Sequence, residues 1–203
     1  MSRCRIALIV GGHGETEAVP ILVRRIAGMS DPQLDVDFVS PFRVPEDKLR
    51  KTGELERYVE IAARRLAGQG GILVLLDCDW HEACAKKDAP ELLLRAQSVR
   101  PHLPVTVVLA CQEYETWFIS AARSLRGKRG LAEDLEIVER PEEIRGAKEW
   151  LRNRMPRHRP YAETVDQPAL TAELDIQEAR RSPSFDKCYR SIEWLLSKTS
   201  VDQ

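Results

Sequence analysis

Four short apolar runs, each followed by a stretch of helical periodicity, constrain this chain more than any other feature. Residues 5–10 (RIALIV) stop at Gly11-Gly12, residues 34–39 (LDVDFV) alternate, residues 72–77 (ILVLLD) are the most apolar, and residues 105–110 (VTVVLA) start after Pro101 and Pro104. Runs of this length and composition read as strands. Between them, Thr16 caps a helix reaching about Ala27, with Pro20 tolerated in its first turn. Leu55, Tyr58, Val59, Ala62 and Leu66 share one helical face that ends at Gly68, and helices are expected around 90–99 and over 114–125. Strands alternating with helices imply an α/β domain with a mainly parallel sheet and helices on both faces. Beyond about residue 130 no strand is evident. Helices are expected over 142–153, 175–181 and 184–198, the last striped by Phe185, Cys188, Tyr189, Ile192, Leu195 and Leu196. The expected organisation is an α/β domain over 1–130 and a helical extension over 131–203 packed on it as one globular unit.

Composition narrows the function classes. With 31 Lys+Arg against 32 Asp+Glu in 203 residues, the formal charge is −1, which disfavours a generally polybasic nucleic-acid binder but permits local patches. No uncharged apolar run approaches the roughly 18 residues of a membrane span, and the first residues do not read as a secretory signal. Five scattered cysteines without a CxxC pair suit a reduced, cytoplasmic protein.

The carboxylates carry the functional signal. Glu15 and Glu17 follow the first strand, Asp77 and Asp79 end the third, and Glu113 and Glu115 follow the fourth. Ligands of open α/β sheets bind beyond the carboxyl ends of the strands, so three acidic pairs fall where a site would form. Clustered carboxylates are relieved by protons or by a hard divalent cation, Mg²⁺ or Mn²⁺. Each pair also has a plainer reading, as acids at a helix N-terminus or in an Asx-type turn. The turn GGHGETE lacks the GK[ST] of a P-loop and the third glycine of a dinucleotide fingerprint. Cys78, His81 and Cys84 do not have a zinc-site spacing, and no GxSxG supports acyl transfer. Two acid-free basic stretches, Arg123, Arg126, Lys128 and Arg129, then Arg152, Arg154, Arg157, His158 and Arg159, are solvated loops or a grip on a phosphate backbone.

A glycine turn with a TE dipeptide after the first strand, then hhhhDxD, resembles the Toprim fold of topoisomerases, primases and OLD-type nucleases. The segments GETEAVPILVRRI, LLDCDW, CQEYETWFIS and RRSPSFDKCYRSIEWL look more closely like a small Toprim-related bacterial family, a domain of unknown function. Genes of that family often sit beside ATPases of the AAA/ABC type, in settings suggestive of phage defence. The resemblance implies Mg²⁺-dependent phosphoryl-transfer chemistry on nucleic acid. It makes Glu17 the second acid of the glycine turn, Asp77 and Asp79 the metal-binding DxD, and Glu113 and Glu115 the smaller family's own motif. The glutamate used for acid/base work in Toprim enzymes is replaced here by His13, a departure that still permits proton transfer near neutral pH.

Together these readings lead to a metal-dependent phosphoesterase, foremost a nuclease. Glu17, Asp77, Asp79 and Glu113 would hold the metal, Glu115 is a further ligand candidate, and His13 is the proton-transfer group. Two rivals stand beside it. One is a non-catalytic Toprim-like module that binds an ATPase or nucleic acid; the other is a small-molecule phosphatase or nucleotide hydrolase. A long groove lined by both arginine stretches would favour the nuclease, and a salt bridge or a lysine occupying the would-be metal position would favour the inert module.

Overall fold

The computed structural model describes residues 3–200, so residues 1–2 and 201–203 of the two expected segments lie outside the described residues. Five strands, β1 (Arg3–Val10), β2 (Asp35–Phe38), β3 (Phe42–Arg43), β4 (Gly71–Cys78) and β5 (Val105–Cys111), form one sheet. Its order is β2-β1-β4-β5, with β3 also on β1, and every named pairing is parallel. The protein is therefore α/β. Register places Val10 beside Leu75 and Asp77 beside Ala110, so β1, β4 and β5 end along one edge.

Both faces of the sheet are covered, because every residue of β4 is buried. On one face Ile72, Val74 and Leu76 pack with the helices α3 (Glu54–Leu66) and α4 (Ala85–Val99). On the other, Ile6, Leu8, Val10, Leu73 and Leu75 meet α1 (Glu15–Ser30) and the long C-terminal helix α9 (Pro183–Thr199). Gly71 is what lets α9 approach this closely: a Cβ there would lie 2.5 Å from a Leu195 methyl. Leu151, Leu170 and Leu195, all beyond residue 130, belong to the same core as β1 and β4.

Four details differ from the sequence expectations. The strand at 34–39 is shorter, and two further paired residues follow as β3, beyond Pro41. The helix expected over 114–125 is regular only as α5 (Thr116–Ser120). Ser120 and Ser124 donate their hydroxyls to the carbonyls of Thr116 and Ala121, offering the backbone an alternative to the helical ladder. The expected 142–153 helix is a 3₁₀ turn at Pro141–Glu143 and a separate α6 (Ala147–Arg152), divided at Gly146, whose φ of 70° no continuous helix allows. Finally, α7 (Glu163–Glu173) was not expected; Pro168 within it disguises the pattern. A short α2 (Glu46–Leu49) and α8 (Ile176–Ala179) complete the fold.

Candidate acidic site at the sheet edge

One carboxylate from each acidic pair turns inward. Glu15, Asp77 and Glu115 are 1%, 8% and 0% exposed. Glu15 opens α1, and its Oε2 accepts the amides of Gly11 (2.9 Å) and Gly12 (3.0 Å), so the glycine turn wraps its own first helical residue. Asp77 accepts the amide of Tyr114 at 2.7 Å, which ties the end of β4 to the segment after β5. Glu115 Oε1 accepts the Tyr161 hydroxyl (2.8 Å) and the Gln167 amide (3.3 Å), while its Oε2 is buried and, among the described residues, has no hydrogen-bond partner.

These three groups disfavour one another's charge. Burial pushes the Glu15 carboxyl up to about 8, with Glu46 and Glu115 adding to it against the two glycine amides. Burial raises Asp77 well above the ordinary carboxylate range, helped by Glu15 and Glu115. Glu115 rises to about 7, mainly through burial, with Lys148 and the Tyr161 hydrogen bond opposing the rise. Near neutral pH burial therefore favours the protonated form of these carboxyls.

Lys148, at the start of α6, supplies positive charge that sequence reading did not anticipate. Its ammonium lies 3.2 Å from Glu163 and 3.9 Å from Glu113, and its backbone amide donates to Glu113 Oε2 at 3.2 Å. Burial works against its charge, but Glu115, Asp77 and Glu163 outweigh it and hold the ammonium protonated. Glu163 in turn accepts the Gly14 amide at 3.2 Å. Among the described residues, Glu15, Asp77 and Glu115 have no ion-pair partner within 4 Å, and the Lys148 charge offsets the burial of Asp77 and Glu115 only in part.

A cavity of about 270 Å³ opens beside Asp77, lined by Gly11, Gly12, His13, Arg43, Pro45, Glu46, Asp77, Asp79, Lys148 and Glu163; Glu15 and Glu115 lie outside its lining. His13 and Asp79 are exposed and border it. Glu17 is exposed and lies two residues beyond Glu15 on α1, so the helix carries it away from the side that Glu15 presents inward. Glu113 is half-buried, engaged with Lys148. Among the described residues, no group of three or more His, Cys, Asp or Glu stands arranged to hold a metal ion as it is. The five cysteines are free thiols.

The basic stretches are largely engaged. Arg123 pairs with Glu178, Lys128 with Glu173, Arg152 with Glu149, and Arg154 with Glu136 while stacking on Trp150. Arg126 donates to the Leu135 carbonyl. Arg159 reaches the buried Asp166 at 2.7 Å and also the Arg129 carbonyl. Arg129 and Arg157 are exposed and, among the described residues, form no ion pair.

Fold and site define a parallel α/β domain with a buried acidic cluster in the crevice beyond its strand ends. The chain belongs to the family described as Domain of unknown function (DUF4276), whose model matches residues 10–193. No curated protein matches it. Among solved structures, the C-terminal region of the Burkholderia pseudomallei OLD protein is similar at 14% identity and a TM-score of 0.48, over 97% of this chain and 98% of that one. Among the described residues, no helix is long and apolar enough to cross a membrane.

Proposed function

We propose that this protein is a divalent-cation-dependent phosphoesterase working in the crevice beside Asp77, next to the buried Glu15 and Glu115, with nucleic acid as the substrate class. The observation that carries the reading is the convergence of three buried, mutually repelling carboxylates, one of which keeps an unpartnered oxygen, Glu115 Oε2. An orphaned buried carboxylate oxygen is costly unless something binds it, and an all-oxygen donor set suits Mg²⁺ or Mn²⁺. Glu15, Asp77 and Glu115 would hold the ion, with Asp79 and Glu113 nearby. When bound, the ion would polarise a phosphoryl oxygen and lower the pKa of water.

The chain's own residues have separable roles. The Gly11 and Gly12 amides fix Glu15, the Tyr114 amide fixes Asp77, and Tyr161 with Gln167 orient Glu115 through one oxygen so that the other is left over. Arg43 and Lys148 line the cavity and offer positive charge to a phosphate. His13 at the rim is the group suited to exchange a proton with the leaving oxygen. The sequence resemblance to Toprim proteins supports nucleic acid as substrate, an ATPase partner and a phage-defence setting.

A second reading, the inert binding module, is favoured by Lys148, which already brings a positive charge to the acids. The test is cleavage of single- and double-stranded DNA, RNA and nucleotides with Mg²⁺ or Mn²⁺, by wild type and Asp77→Asn. Metal-dependent cleavage that Asp77→Asn abolishes supports the enzyme. Equal, metal-independent background for both proteins leaves the inert module.

A further inference from the structure

Three aromatic rings near the crevice lie under basic side chains. The Arg50 guanidinium carbon sits 4.7 Å from the centre of the Trp80 ring, and that of Arg65 sits 4.4 Å from the centre of Phe42. Arg57 and Lys48 lie over Tyr58 at 4.6 and 5.7 Å. The Phe42 and Tyr58 rings meet edge to face, 6.2 Å apart. All three rings are half-buried and pack against the core on the α3–α4 face of the sheet. They adjoin the crevice along the chain: Phe42 precedes Arg43 and Trp80 follows Asp79, and both Arg43 and Asp79 line the cavity.

The charge here is free in a way that most of the two basic stretches beyond residue 120 are not. Glu54 pairs with Arg57 and Lys48, Glu56 with Arg95, and Glu60 with Arg64 and Arg100. Between residues 42 and 65 that leaves Arg43, Arg50, Lys51 and Arg65, all exposed and without an ion pair among the described residues, against Glu46 and Asp47. Packing on the core accounts for the rings, but it does not call for unneutralised cations gathered over them. Cations interleaved with rings are the means by which single strands are held, since the charge follows the phosphates while unpaired bases stack on rings or guanidinium planes. A duplex hides its base faces and can use the charge alone.

We infer that the surface of α2 and α3 beside the crevice is a track for single-stranded nucleic acid, with Trp80 and Phe42 as stacking platforms and Arg43, Arg50, Lys51 and Arg65 as phosphate contacts. The inference rests on nucleic acid being the substrate class and narrows it to a single strand; it does not depend on the cation.

The experiment is fluorescence anisotropy of labelled oligothymidylate, oligouridylate and a DNA duplex of equal length, in EDTA and over a range of salt. The proteins are wild type, Trp80→Leu, Trp80→Phe, Arg50→Ala, Arg65→Ala and, as a control, Lys187→Ala. Lys187 is an exposed cation on α9, across the sheet from α3. A single strand should bind more tightly than the duplex, the tighter of the two single strands naming DNA or RNA. Trp80→Leu should weaken that binding about 5–100-fold, the loss typical of one base–aromatic stack, while Trp80→Phe keeps a ring and stays within about threefold of wild type. Arg50→Ala and Arg65→Ala should each reduce the salt slope by about 0.7, and Lys187→Ala should match wild type. If wild type binds single strands but Trp80→Leu, Arg50→Ala and Arg65→Ala all stay within about twofold of it, the inference is wrong and nucleic acid stands as the substrate class. Tighter binding of the duplex, or a loss in Lys187→Ala equal to that of the arginine variants, would also overturn it. Should Trp80→Leu not fold, the two arginine variants decide. Wild type that binds neither single strands nor duplex removes the nucleic-acid reading and the inference together.

Discussion

Replacing Glu15 by glutamine should make the metal-free protein more stable at pH 8. Glutamine keeps an oxygen for the Gly11 and Gly12 amides and removes a charge that burial, Glu46 and Glu115 all oppose. The folded pKa lies above the unfolded one, so between about pH 4.5 and 8 the native state binds more protons and stability falls as pH rises. A rise from 4.5 to about 8 corresponds to a ceiling of about 5 kcal/mol at roughly 1.4 kcal/mol per unit. Relaxation and coupling to Asp77 and Glu115 reduce this, and about 2–3 kcal/mol, or roughly 4–12 °C in melting temperature for a chain of this size, is the expected gain. The assay is urea and thermal unfolding of wild type and Glu15→Gln in chelator at pH 5 and pH 8. Wild type should lose stability between the two pH values, and the variant should lose clearly less. Glu15→Gln destabilised equally at both, or a wild type indifferent to pH, would refute the reasoning.

Three other expectations follow from the same geometry. Mn²⁺ binding should release about one proton or more at pH 7, so that affinity climbs with pH and levels off above about 8, as titration in buffers of different ionisation enthalpy will register. Tyr161→Phe removes a buried donor from Glu115 Oε1, and unfolding measurements should show a loss of about 1–3 kcal/mol. Arg129→Ala or Arg157→Ala should each lower the salt slope of nucleic-acid binding by about one without altering stability. Arg159→Ala should instead destabilise the fold by about 1–3 kcal/mol, because it abandons the buried Asp166.

Much of the sheet was legible because buried parallel strands announce themselves. ILVLLD and VTVVLA are short, apolar and bounded by Gly or Pro, and they became β4 and β5 almost residue for residue. β3 was not legible, since two residues paired with the end of β1 have no periodicity of their own. The three acidic pairs were visible as strand-end carboxylates, but which member turns inward is decided by tertiary contacts. The two glycine amides, on a turn that folds back over α1, and the helical offset between the two positions distinguish Glu15 from Glu17. Lys148, Tyr161, Glu163 and Gln167 escaped notice because they reach the site from beyond residue 130, where no strand marks an edge. The one signal available was local: Gly146 before Ala147-Lys148 reads as a helix start. The basic stretches looked acid-free in sequence, yet Glu136, Asp166, Glu173 and Glu178 come to several of them through the fold.

The central claim is that Glu15, Asp77 and Glu115 form the seat of a divalent cation. Crystals soaked in MnCl₂ and measured at the manganese absorption edge test it directly. The account predicts an anomalous peak within coordinating distance of Asp77 and of Glu115 Oε2, with the Lys148 ammonium remaining toward Glu163. Density without a peak there, and with the Lys148 ammonium lodged between Asp77 and Glu115, would contradict it.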